Sequence, residues 1–356
     1  MTDFLVRRDD LRAWKVTDGD ADEAPGPGSL RLRVERFALT ANNLTYGLLG
    51  DRLGYWRFFA APEGWGRLPA WGFGEVTATG VDGIGVGERF YGYFPMSSAV
   101  TLEAKATGEG FVESSEARRE LAPVYNRYAA ATEENGYPRA HDDANAILRP
   151  LFLTGWLIAD HLEQADWFGA GAVVLASASS KTAFSTAFEL AARSERPEIV
   201  GLTSPGNREF TSGLGCYDRV VTYDEIGALG DAELVFVDMA GAPDVRSAVH
   251  QHAGDGVRAS LMVGAAHWEH ASFRSEALPG AQPEVFSAPA HVERRAHELG
   301  PAEFNRRLGR AWLAFADRVP ELLEIEVSSG ADALGRAYDA LVAGNADPRK
   351  GYVFIL

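Results

Sequence analysis

The feature that most constrains the fold of this chain is an apolar run that stops at small and hydroxylated residues and is followed by a helical pattern. Residues 171–183 read GAVVLASASSKTA. The apolar residues 173–175 suit a strand buried on both faces. The turn then offers backbone N–H groups, hydroxyls and a lysine at a helix N-terminus, where phosphate binds favourably. The predicted phosphate-binding residues are Ser177, Ser179, Ser180, Lys181 and Thr182.

This turn lacks the glycine fingerprint of dinucleotide-binding folds. In the G-x-G-x-x-G pattern, the glycines allow a tight turn and a close approach to the pyrophosphate. Here those positions fall on Ala176, Ala178 or the serines. Taken alone, the stretch is better explained as an ordinary strand-to-helix connection that Ser179 or Ser180 caps. The segments that follow change this interpretation.

Strands and helices alternate after the turn. The predicted elements are a helix at 182–194, a strand at 198–202, a helix at 207–214, strands at 219–222 and 232–238, a helix at 242–252 and a strand at 258–263. A helix at 151–164 precedes them. This βαβ rhythm predicts an α/β fold with a doubly wound parallel sheet, whose ligand lies beyond the carboxyl ends of the strands.

The N-terminal part has a different pattern. Residues 29–41 alternate apolar and polar side chains, as a half-buried strand does. Residues 70–99 contain short apolar runs separated by glycines, which predicts a small, irregular β-barrel. Residues 102–145 mix glycines, charges and aromatics around an amphipathic piece at 115–131, and we interpret them as a lip over a cleft.

The C-terminal tail is predicted to return to this barrel. It contains a helix at 301–319, a strand at 323–328, a helix at 330–343 and a last strand at 351–356. An apolar terminal strand is stable only when it pairs with a sheet. The N-terminal domain is therefore expected to be discontinuous in sequence.

Composition limits the possible partners. The chain has 356 residues, 46% of them hydrophobic and 24% charged, which fits a folded protein of two domains. With 50 acidic and 34 basic residues the formal charge is −16, so the protein repels nucleic acid and anionic membranes. A small-molecule substrate is therefore expected.

The single cysteine, Cys216, excludes an internal disulfide framework and a zinc site with several thiolates. No histidine or cation is adjacent to it, so we expect a buried, unreactive thiol. The chain starts without a secretory pattern and has no apolar run that could span a bilayer. These features predict a protein of the reducing cytoplasm.

Six segments together resemble a known superfamily. They read VERFALTANNLTYG at 34–47, GFGEVTATGVDGIGVGERFYGY at 72–93, TGWLIADH at 154–161, CYDRVVTYD at 216–224, VFVDMAG at 235–241 and LMVGAA at 261–266. In this order and spacing they resemble the medium-chain dehydrogenase/reductase superfamily, specifically its zinc-free quinone and enone reductases. The serine-bearing turn and residues 102–145 resemble an uncharacterised bacterial branch, a domain of unknown function.

The resemblance implies a domain arrangement and an oligomer. A GroES-like β-barrel domain for the substrate is expected at residues 1–152, completed by 303–356. A Rossmann domain that binds NADP is expected at 153–302. Many proteins of the superfamily form homodimers through their cofactor domains, and the same is expected here.

Cofactor choice is predicted by the end of the second strand of the parallel sheet. NAD enzymes commonly carry a carboxylate there for the ribose hydroxyls. This chain has Thr203, Ser204, Asn207 and Arg208, which suit a 2′-phosphate, and Lys181 supplies a second cation. The alternatives are that Arg208 is a solvated helix charge and that Ser204 is a helix cap. The pattern favours NADP(H).

The resemblance also implies contacts to the nicotinamide and the substrate. Met239, Gly241 and Gly264 follow the strand ends that face the nicotinamide in the superfamily. Asn42, Asn43 and Tyr46 lie in the turn facing it, where Tyr46 could donate a proton and the amides could orient the substrate. Tyr125, Asn126 and Tyr128 are candidates for the substrate pocket. Turn formation and packing are the alternatives for both groups. His267, with Trp268, follows the last clear strand of the sheet and could neighbour the cofactor, but a surface imidazole is the favoured interpretation.

No metal is expected. Thr40 or Asn42 stands where the zinc enzymes of the superfamily have a cysteine, and Gly72 and Phe73 replace their histidine motif. Without these ligands a catalytic zinc ion has no evident coordination. The predicted function is NADPH-dependent reduction of an activated double bond or a quinone. The alternatives are a catalytically silent NADPH-binding redox sensor and a metal-free carbonyl reductase.

Overall fold

The computed structural model describes residues 1–19, 24–239, 241–263 and 277–356. The chain divides into two compact units. The first unit contains Met1–Pro150 and Leu323–Leu356, and the second unit contains Leu151–Leu322.

The strands are, in chain order, β1 (Thr2–Arg7), β2 (Trp14–Asp18), β3 (Ser29–Leu39), β4 (Trp65–Gly66), β5 (Pro69–Thr79), β6 (Arg89–Pro95), β7 (Ala99–Thr107), β8 (Gly110–Glu113), β9 (Arg127–Ala130), β10 (Ala172–Ala176), β11 (Glu198–Thr203), β12 (Arg219–Thr222), β13 (Leu234–Asp238), β14 (Val257–Met262), β15 (Pro283–Val285), β16 (Glu324–Ser329) and β17 (Lys350–Ile355).

The α-helices are α1 (Ala41–Leu48), α2 (Asp142–Gln164), α3 (Lys181–Ala191), α4 (Arg208–Gly213), α5 (Pro243–Ala253), α6 (Ala288–Leu299), α7 (Pro301–Ala316), α8 (Val319–Leu322) and α9 (Ala331–Val342). Within the described ranges, no helix combines the length and apolar character needed to cross a bilayer.

The first unit is built on a closed sheet in the order β16-β17-β3-β5-β6-β9-β8-β7. Strand β3 closes it, because its N-terminal half also pairs with β7. The alternation of β3 turns Leu30, Leu32 and Val34 into the core. At its C-terminal end β3 pairs antiparallel with β17, so the last strand completes the barrel as expected.

The segment interpreted as a lip is instead part of the barrel wall. Strands β7, β8 and β9 form hairpin-like pairs, and β9 also pairs with β6. Phe111 and Tyr128 stack with ring centroids 4.5 Å apart and are buried. The pattern was misleading because Arg118 is buried as well, where its guanidinium donates hydrogen bonds to the carbonyl of Phe58. A sequence pattern treats such a charge as exposed.

The second unit contains a six-stranded parallel sheet in the order β12-β11-β10-β13-β14-β15. Strands β10 and β13 are buried along their whole length, in keeping with helices on both faces. Crossovers between parallel strands bring the carboxyl ends of β10, β11 and β13 to one edge of the sheet. Both the β-barrel completed by the C-terminus and the doubly wound sheet are therefore confirmed.

Two boundaries differ from the sequence-based expectation. Helix α2 begins at Asp142 rather than at residue 151 and passes through Pro150. Its early turns are held by ion pairs from Asp142 to Arg89, at 2.7 Å, and from Asp143 to Arg36, at 2.7 Å. These contacts stabilise the part of the helix that precedes Pro150.

The segment 303–322 packs with the second unit, whereas the sequence placed it with the barrel. Helix α7 buries Phe304, Trp312 and Phe315. Phe315 stacks on Phe152 with a centroid distance of 4.9 Å, and Phe304 contacts Trp156 at 5.5 Å. The apolar face of α7 therefore determines where the chain leaves the second unit.

Candidate functional site

The turn between β10 and α3 has the geometry of an anion-binding turn. Ser177 has a φ of 53°, a left-handed conformation that favours glycine. Ser177 thus adopts a backbone conformation that is usually reserved for glycine, although the sequence has no glycine at this position. Ser180 caps α3, since its side chain accepts a hydrogen bond from the N–H of Ala183 at 3.3 Å. The other N–H groups of the first helical turn have no intrahelical acceptor.

The loop after β11 is tied to this turn. Asn207 donates a hydrogen bond from Nδ2 to the Ser179 hydroxyl at 3.1 Å, and the N–H of Ala178 donates to the carbonyl of Leu202 at 3.1 Å. Ser204, half-buried, precedes a short helical turn without capping it through its side chain. The structure therefore brings Ser177, Ser179, Ser180, Lys181 and Thr182 next to the loop that carries Ser204, Asn207 and Arg208.

Arg208 has a partner that the sequence did not indicate. Its guanidinium donates to the Glu225 carboxylate at 2.8 Å, and the two side chains are 49% and 44% exposed. The Arg208 guanidinium holds the pKa of Glu225 below its usual value. Glu225 is seventeen residues away in sequence, so only the fold brings the carboxylate to Arg208. An anionic ligand at Arg208 would compete with this carboxylate.

Tyr223 is a second residue that sequence reasoning missed. Its hydroxyl oxygen accepts a hydrogen bond from the N–H of Ser177 at 3.1 Å. Burial raises the pKa of Tyr223 to about 12, so the phenol keeps its proton at neutral pH. Its segment was used for the resemblance, but nothing in the local pattern distinguishes this tyrosine from a packing residue.

The turn after β13 is held by a buried ion pair. Asp238 accepts hydrogen bonds from the N–H of Gly241 at 2.8 Å and from Arg246 at 2.8 Å. The Asp238 and Arg246 side chains are 0% and 3% exposed. Met239 is buried beside them. The predicted residue Gly264, like His267 and Trp268, lies outside the described residues.

The residues at this edge of the sheet fit a ligand that carries phosphate. The capped start of α3 supplies N–H groups and a helix dipole, and Asn207 and Arg208 lie beside it. No carboxylate follows β11 directly, since Thr203 and Ser204 occupy that position. Glu225 pairs with Arg208, and the charge of Asp224 also interacts with it.

In the first unit, the predicted turn forms the start of α1. Asn43 is buried, accepts a hydrogen bond from the N–H of Thr40 at 2.7 Å and donates to the carbonyl of Pro69 at 2.7 Å. Its amide therefore fixes the turn. Asn42 lies one helical turn before Tyr46 and donates from Nδ2 to the Tyr46 hydroxyl at 2.6 Å. Asn43 therefore fixes the backbone of the turn, whereas Asn42 contacts the Tyr46 hydroxyl.

Tyr46 belongs to an aromatic cluster, which consists of Tyr46, Tyr55, Trp71, Tyr93 and Tyr125. The Tyr46 ring lies 4.7 Å from that of Tyr55 and 5.3 Å from that of Tyr93. The indole N–H of Trp71 donates to the Tyr46 hydroxyl at 3.2 Å. Burial and then the neighbouring Tyr55 raise the pKa of Tyr46, so its phenol is protonated at neutral pH.

The three residues predicted for the substrate pocket separate in the structure. Tyr125 joins the aromatic cluster, and its hydroxyl lies 3.2 Å from that of Tyr55. Tyr128 packs in the barrel core and donates a hydrogen bond to the carbonyl of Tyr93. Asn126 is buried and donates to the carbonyl of Arg118 at 3.2 Å. The sequence did not predict Tyr55, Trp71 and Tyr93 as site residues. Their contacts with Tyr46 and Tyr125 join parts of the chain that are far apart in sequence.

Thr40 and Gly72, two of the residues predicted to stand in place of zinc ligands, have structural roles. Thr40 caps α1, and a Cβ atom at Gly72 would collide with the carbonyl oxygen of Arg36, so β5 and β3 approach too closely for a side chain there. In the part of the chain that the structure describes, no group of three or more histidine, cysteine, aspartate or glutamate side chains is placed to hold a metal ion.

Cys216 lines a cavity of about 280 Å³ together with Phe184, Phe188, Leu214 and Arg318. Burial raises the pKa of its thiol to about 12. At pH 8 the thiolate fraction is then on the order of 10⁻⁴, and only the thiolate reacts.

We expect the Cys216 thiol of the native protein to react with a thiol-specific disulfide reagent at least about 10³-fold more slowly than that of urea-unfolded protein, measured by absorbance. Equal rates would contradict the buried position.

The chain resembles solved structures over its whole length. CurA from Vibrio vulnificus in complex with NADPH has a TM-score of 0.64 and 14% identity, with 99% of this chain and 98% of that chain covered. The yhdH oxidoreductase from Salmonella enterica in complex with NADP has a TM-score of 0.56 and 15% identity, with 100% of both chains covered. A mutant form of enoyl thioester reductase from Candida tropicalis has a TM-score of 0.59 and 12% identity, with 99% and 98% covered.

At these identities the likeness establishes the fold alone, and this is the predicted fold, with its GroES-like β-barrel and its Rossmann sheet. A search of curated proteins found no match. The family described as "Protein of unknown function (DUF2855)" matches residues 37–347, which is most of the chain. The protein therefore belongs to the DUF2855 family, in agreement with the predicted uncharacterised branch.

Proposed function

We propose that this protein is an NADPH-dependent, zinc-independent oxidoreductase that reduces an activated carbon–carbon double bond or a quinone. The observation that carries the proposal is the buried, protonated Tyr46 phenol, which accepts hydrogen bonds from Asn42 and Trp71. Support comes from the similar structures, two of which contain NADPH or NADP. Zinc independence is supported by the residues that stand in place of the zinc ligands, Thr40 or Asn42 for the cysteine and Gly72 with Phe73 for the histidine motif.

The second unit binds the cofactor in this proposal. The turn from Ser177 to Thr182 and the start of α3 hold the pyrophosphate, while Ser204, Asn207 and Arg208 hold the 2′-phosphate. The Tyr223 phenol accepts from Ser177 and keeps its own proton for a phosphate oxygen. Met239 and Gly241 contact the nicotinamide part. NADPH, when bound, supplies the hydride.

The first unit supplies the proton. As negative charge develops on the substrate carbonyl or quinone oxygen, Tyr46 donates its phenolic proton to the substrate. Asn42 holds the Tyr46 hydroxyl in place. The rings of Tyr55 and Tyr125, both half-buried, give the substrate an apolar contact surface. Asn43 acts through the backbone of the turn.

Turnover with a substrate panel tests this function. NADPH oxidation is followed by absorbance with enones, quinones and aldehydes, in the presence and absence of a zinc chelator. We expect oxidation with an enone or a quinone and no effect of the chelator. Turnover with aldehydes alone would indicate a carbonyl reductase, and binding without any turnover would indicate a redox sensor.

We also propose that the protein is a homodimer, as the resemblance implies, and that residues 1–150 with 323–356 form the substrate domain. Light scattering coupled to size-exclusion chromatography measures the mass directly. A mass near that of one 38.5 kDa chain would contradict the dimer.

The contact between Arg208 and Glu225 leads to a prediction about cofactor affinity. A charged hydrogen bond contributes roughly 1.5–3 kcal/mol, so Arg208→Ala should weaken NADPH binding about 10- to 100-fold. Glu225→Gln should strengthen it, because the phosphate no longer competes with a carboxylate. Neither change should affect NADH, which lacks the 2′-phosphate. Fluorescence titration with both cofactors measures these effects.

The matched control is Arg196→Ala, because Arg196 also pairs with an exposed carboxylate of the second unit, Asp218. Arg196→Ala should change neither the affinity for NADPH nor the affinity for NADH. Ser204→Asp should weaken NADPH by repulsion. An equal loss of NADPH and NADH binding in Arg208→Ala would mean that Arg208 supports the fold or the pyrophosphate instead.

A further inference from the structure

The hydroxyl oxygen of Tyr46 lies between two N–H donors from different elements. Asn42 reaches it along α1, with Nδ2 at 2.6 Å. Trp71 reaches it from β5, with Nε1 at 3.2 Å. The indole nitrogen can only donate, and a hydroxyl oxygen has two lone pairs and one proton. Each N–H group thus binds a lone pair of the Tyr46 oxygen, and neither contact takes the phenolic proton.

The indole is held in this orientation by packing. Trp71 stacks on Tyr91 with centroids 5.6 Å apart and an angle of 20° between the rings. Trp71 also lies opposite Tyr93 in the pairing of β5 with β6. The N–H of Trp71 is therefore directed at the Tyr46 oxygen before any reaction takes place, which is the condition for effective electrostatic stabilisation.

Burial alone makes Tyr46 a poor proton donor. Removing the phenol from water raises its pKa, and the neighbouring Tyr55 raises it further, whereas hydrogen bonds from Trp71, Tyr93 and Asn42 lower it. A neutral phenol accepts such bonds weakly, and a phenolate accepts them strongly, because a charged partner about doubles their strength. The two donors consequently stabilise the form of Tyr46 that exists after proton transfer.

We propose that Asn42 and Trp71 form an anion-stabilising pair for the Tyr46 phenolate, with Trp71 as a positioning residue; this inference rests on the proposed function. When the substrate anion forms, the O–H bond of Tyr46 breaks and its proton passes to the substrate. The bonding electron pair stays on the phenol oxygen, where the two N–H groups bind it. Solvent then returns a proton to the phenolate.

The ionisation of residue 46 tests this pair without cofactor or substrate. Trifluorotyrosine, whose phenol ionises at a lower pH, replaces Tyr46 by codon suppression, and fluorine NMR follows its titration. Each lost N–H donor should raise the pKa by about 1–2 units, in Trp71→Phe and in Asn42→Ala alike. Tyr91→Phe is the matched control, since it alters the stack on Trp71 and keeps both donors.

This experiment distinguishes a failure of the inference from a failure of the proposed function. An unchanged pKa in Trp71→Phe would overturn the inference even if the protein reduces enones, because Trp71 would then only pack. A raised pKa without any turnover would support the pair and contradict the function. If Trp71→Phe does not fold, benzothienylalanine at position 71 keeps the indole shape without the N–H and should give the same shift.

A kinetic readout completes the test once a substrate is found. Trp71→Phe should lower kcat about 10- to 100-fold, the rate equivalent of the expected pKa shift, with an unchanged KM for the substrate. A change in KM alone would assign Trp71 to substrate binding and overturn its positioning role.

Discussion

Tyr46→Phe is expected to lower kcat for substrate reduction by about 10²–10⁴-fold while leaving the Kd of NADPH unchanged. The substitution removes the proton that the phenol donates and keeps the ring, which packs against Tyr55 and Tyr93. Stopped-flow measurement of NADPH oxidation gives the rate of the chemical step. Fluorescence titration gives the affinity for the cofactor.

Tyr338→Phe is the matched control for this substitution. Tyr338 is as buried as Tyr46 and lies in the same unit, where its hydroxyl donates to the carbonyl of Leu11 at 2.9 Å. Its loss should cost stability and leave kcat unchanged. An unaltered chemical step in Tyr46→Phe would leave Tyr46 as a packing residue and remove the proton donor from the mechanism.

The second large effect is expected in the second unit, where Arg246→Ala should lower the free energy of unfolding by about 3–5 kcal/mol. Asp238 is fully buried and would lose the partner at 2.8 Å that compensates its charge. The same carboxylate binds the N–H of Gly241, so the turn predicted to contact the nicotinamide loses its anchor. Urea unfolding followed by circular dichroism measures the change.

An exposed ion pair in the same unit provides the control. Arg258 pairs with Glu233, and both side chains are about half exposed. Arg258→Ala should therefore lower the free energy of unfolding far less than Arg246→Ala does. If Arg246→Ala costs no more than this control, the buried pair does not hold the turn after β13, and another contact must fix Gly241.

Much of the fold could be predicted because it depends on local patterns. The continuous apolar runs that became β10 and β13 are typical of strands covered on both faces, and the alternation in β3 is typical of a half-buried strand. The C-terminal strand β17 could be assigned to the barrel because its apolar residues needed a sheet partner.

The boundaries that differed depend on tertiary contacts. Helix α2 extends back through Pro150 because ion pairs to Arg36 and Arg89 stabilise its first turns, and these partners are more than fifty residues away. Buried Arg118 concealed the strands on either side of it. The order of apolar and polar residues along the chain does not show which distant residues will form ion pairs or hydrogen bonds.

The candidate site was predictable in part. Tyr46 and Asn42 are one helical turn apart, so their contact follows from the sequence once α1 is assigned. The approach of Trp71 and Tyr125 to Tyr46 depends on how strands β5 and β6 pair and where the loop before β9 lies. The same holds for Glu225, whose carboxylate reaches Arg208 only through the order of β11 and β12.

Transfer of deuterium from labelled NADPH to the product tests the central claim most directly. The protein is incubated with an enone and NADPH that carries deuterium at C4 of the nicotinamide, on each face in turn, and the product is analysed by mass spectrometry. We predict one deuterium atom on the carbon β to the carbonyl with one of the two labelled cofactors, and a solvent-derived proton on the neighbouring carbon. Reduced product without deuterium from either cofactor, or no reduced product with any enone or quinone tested, would contradict the assignment of this protein as an NADPH-dependent reductase.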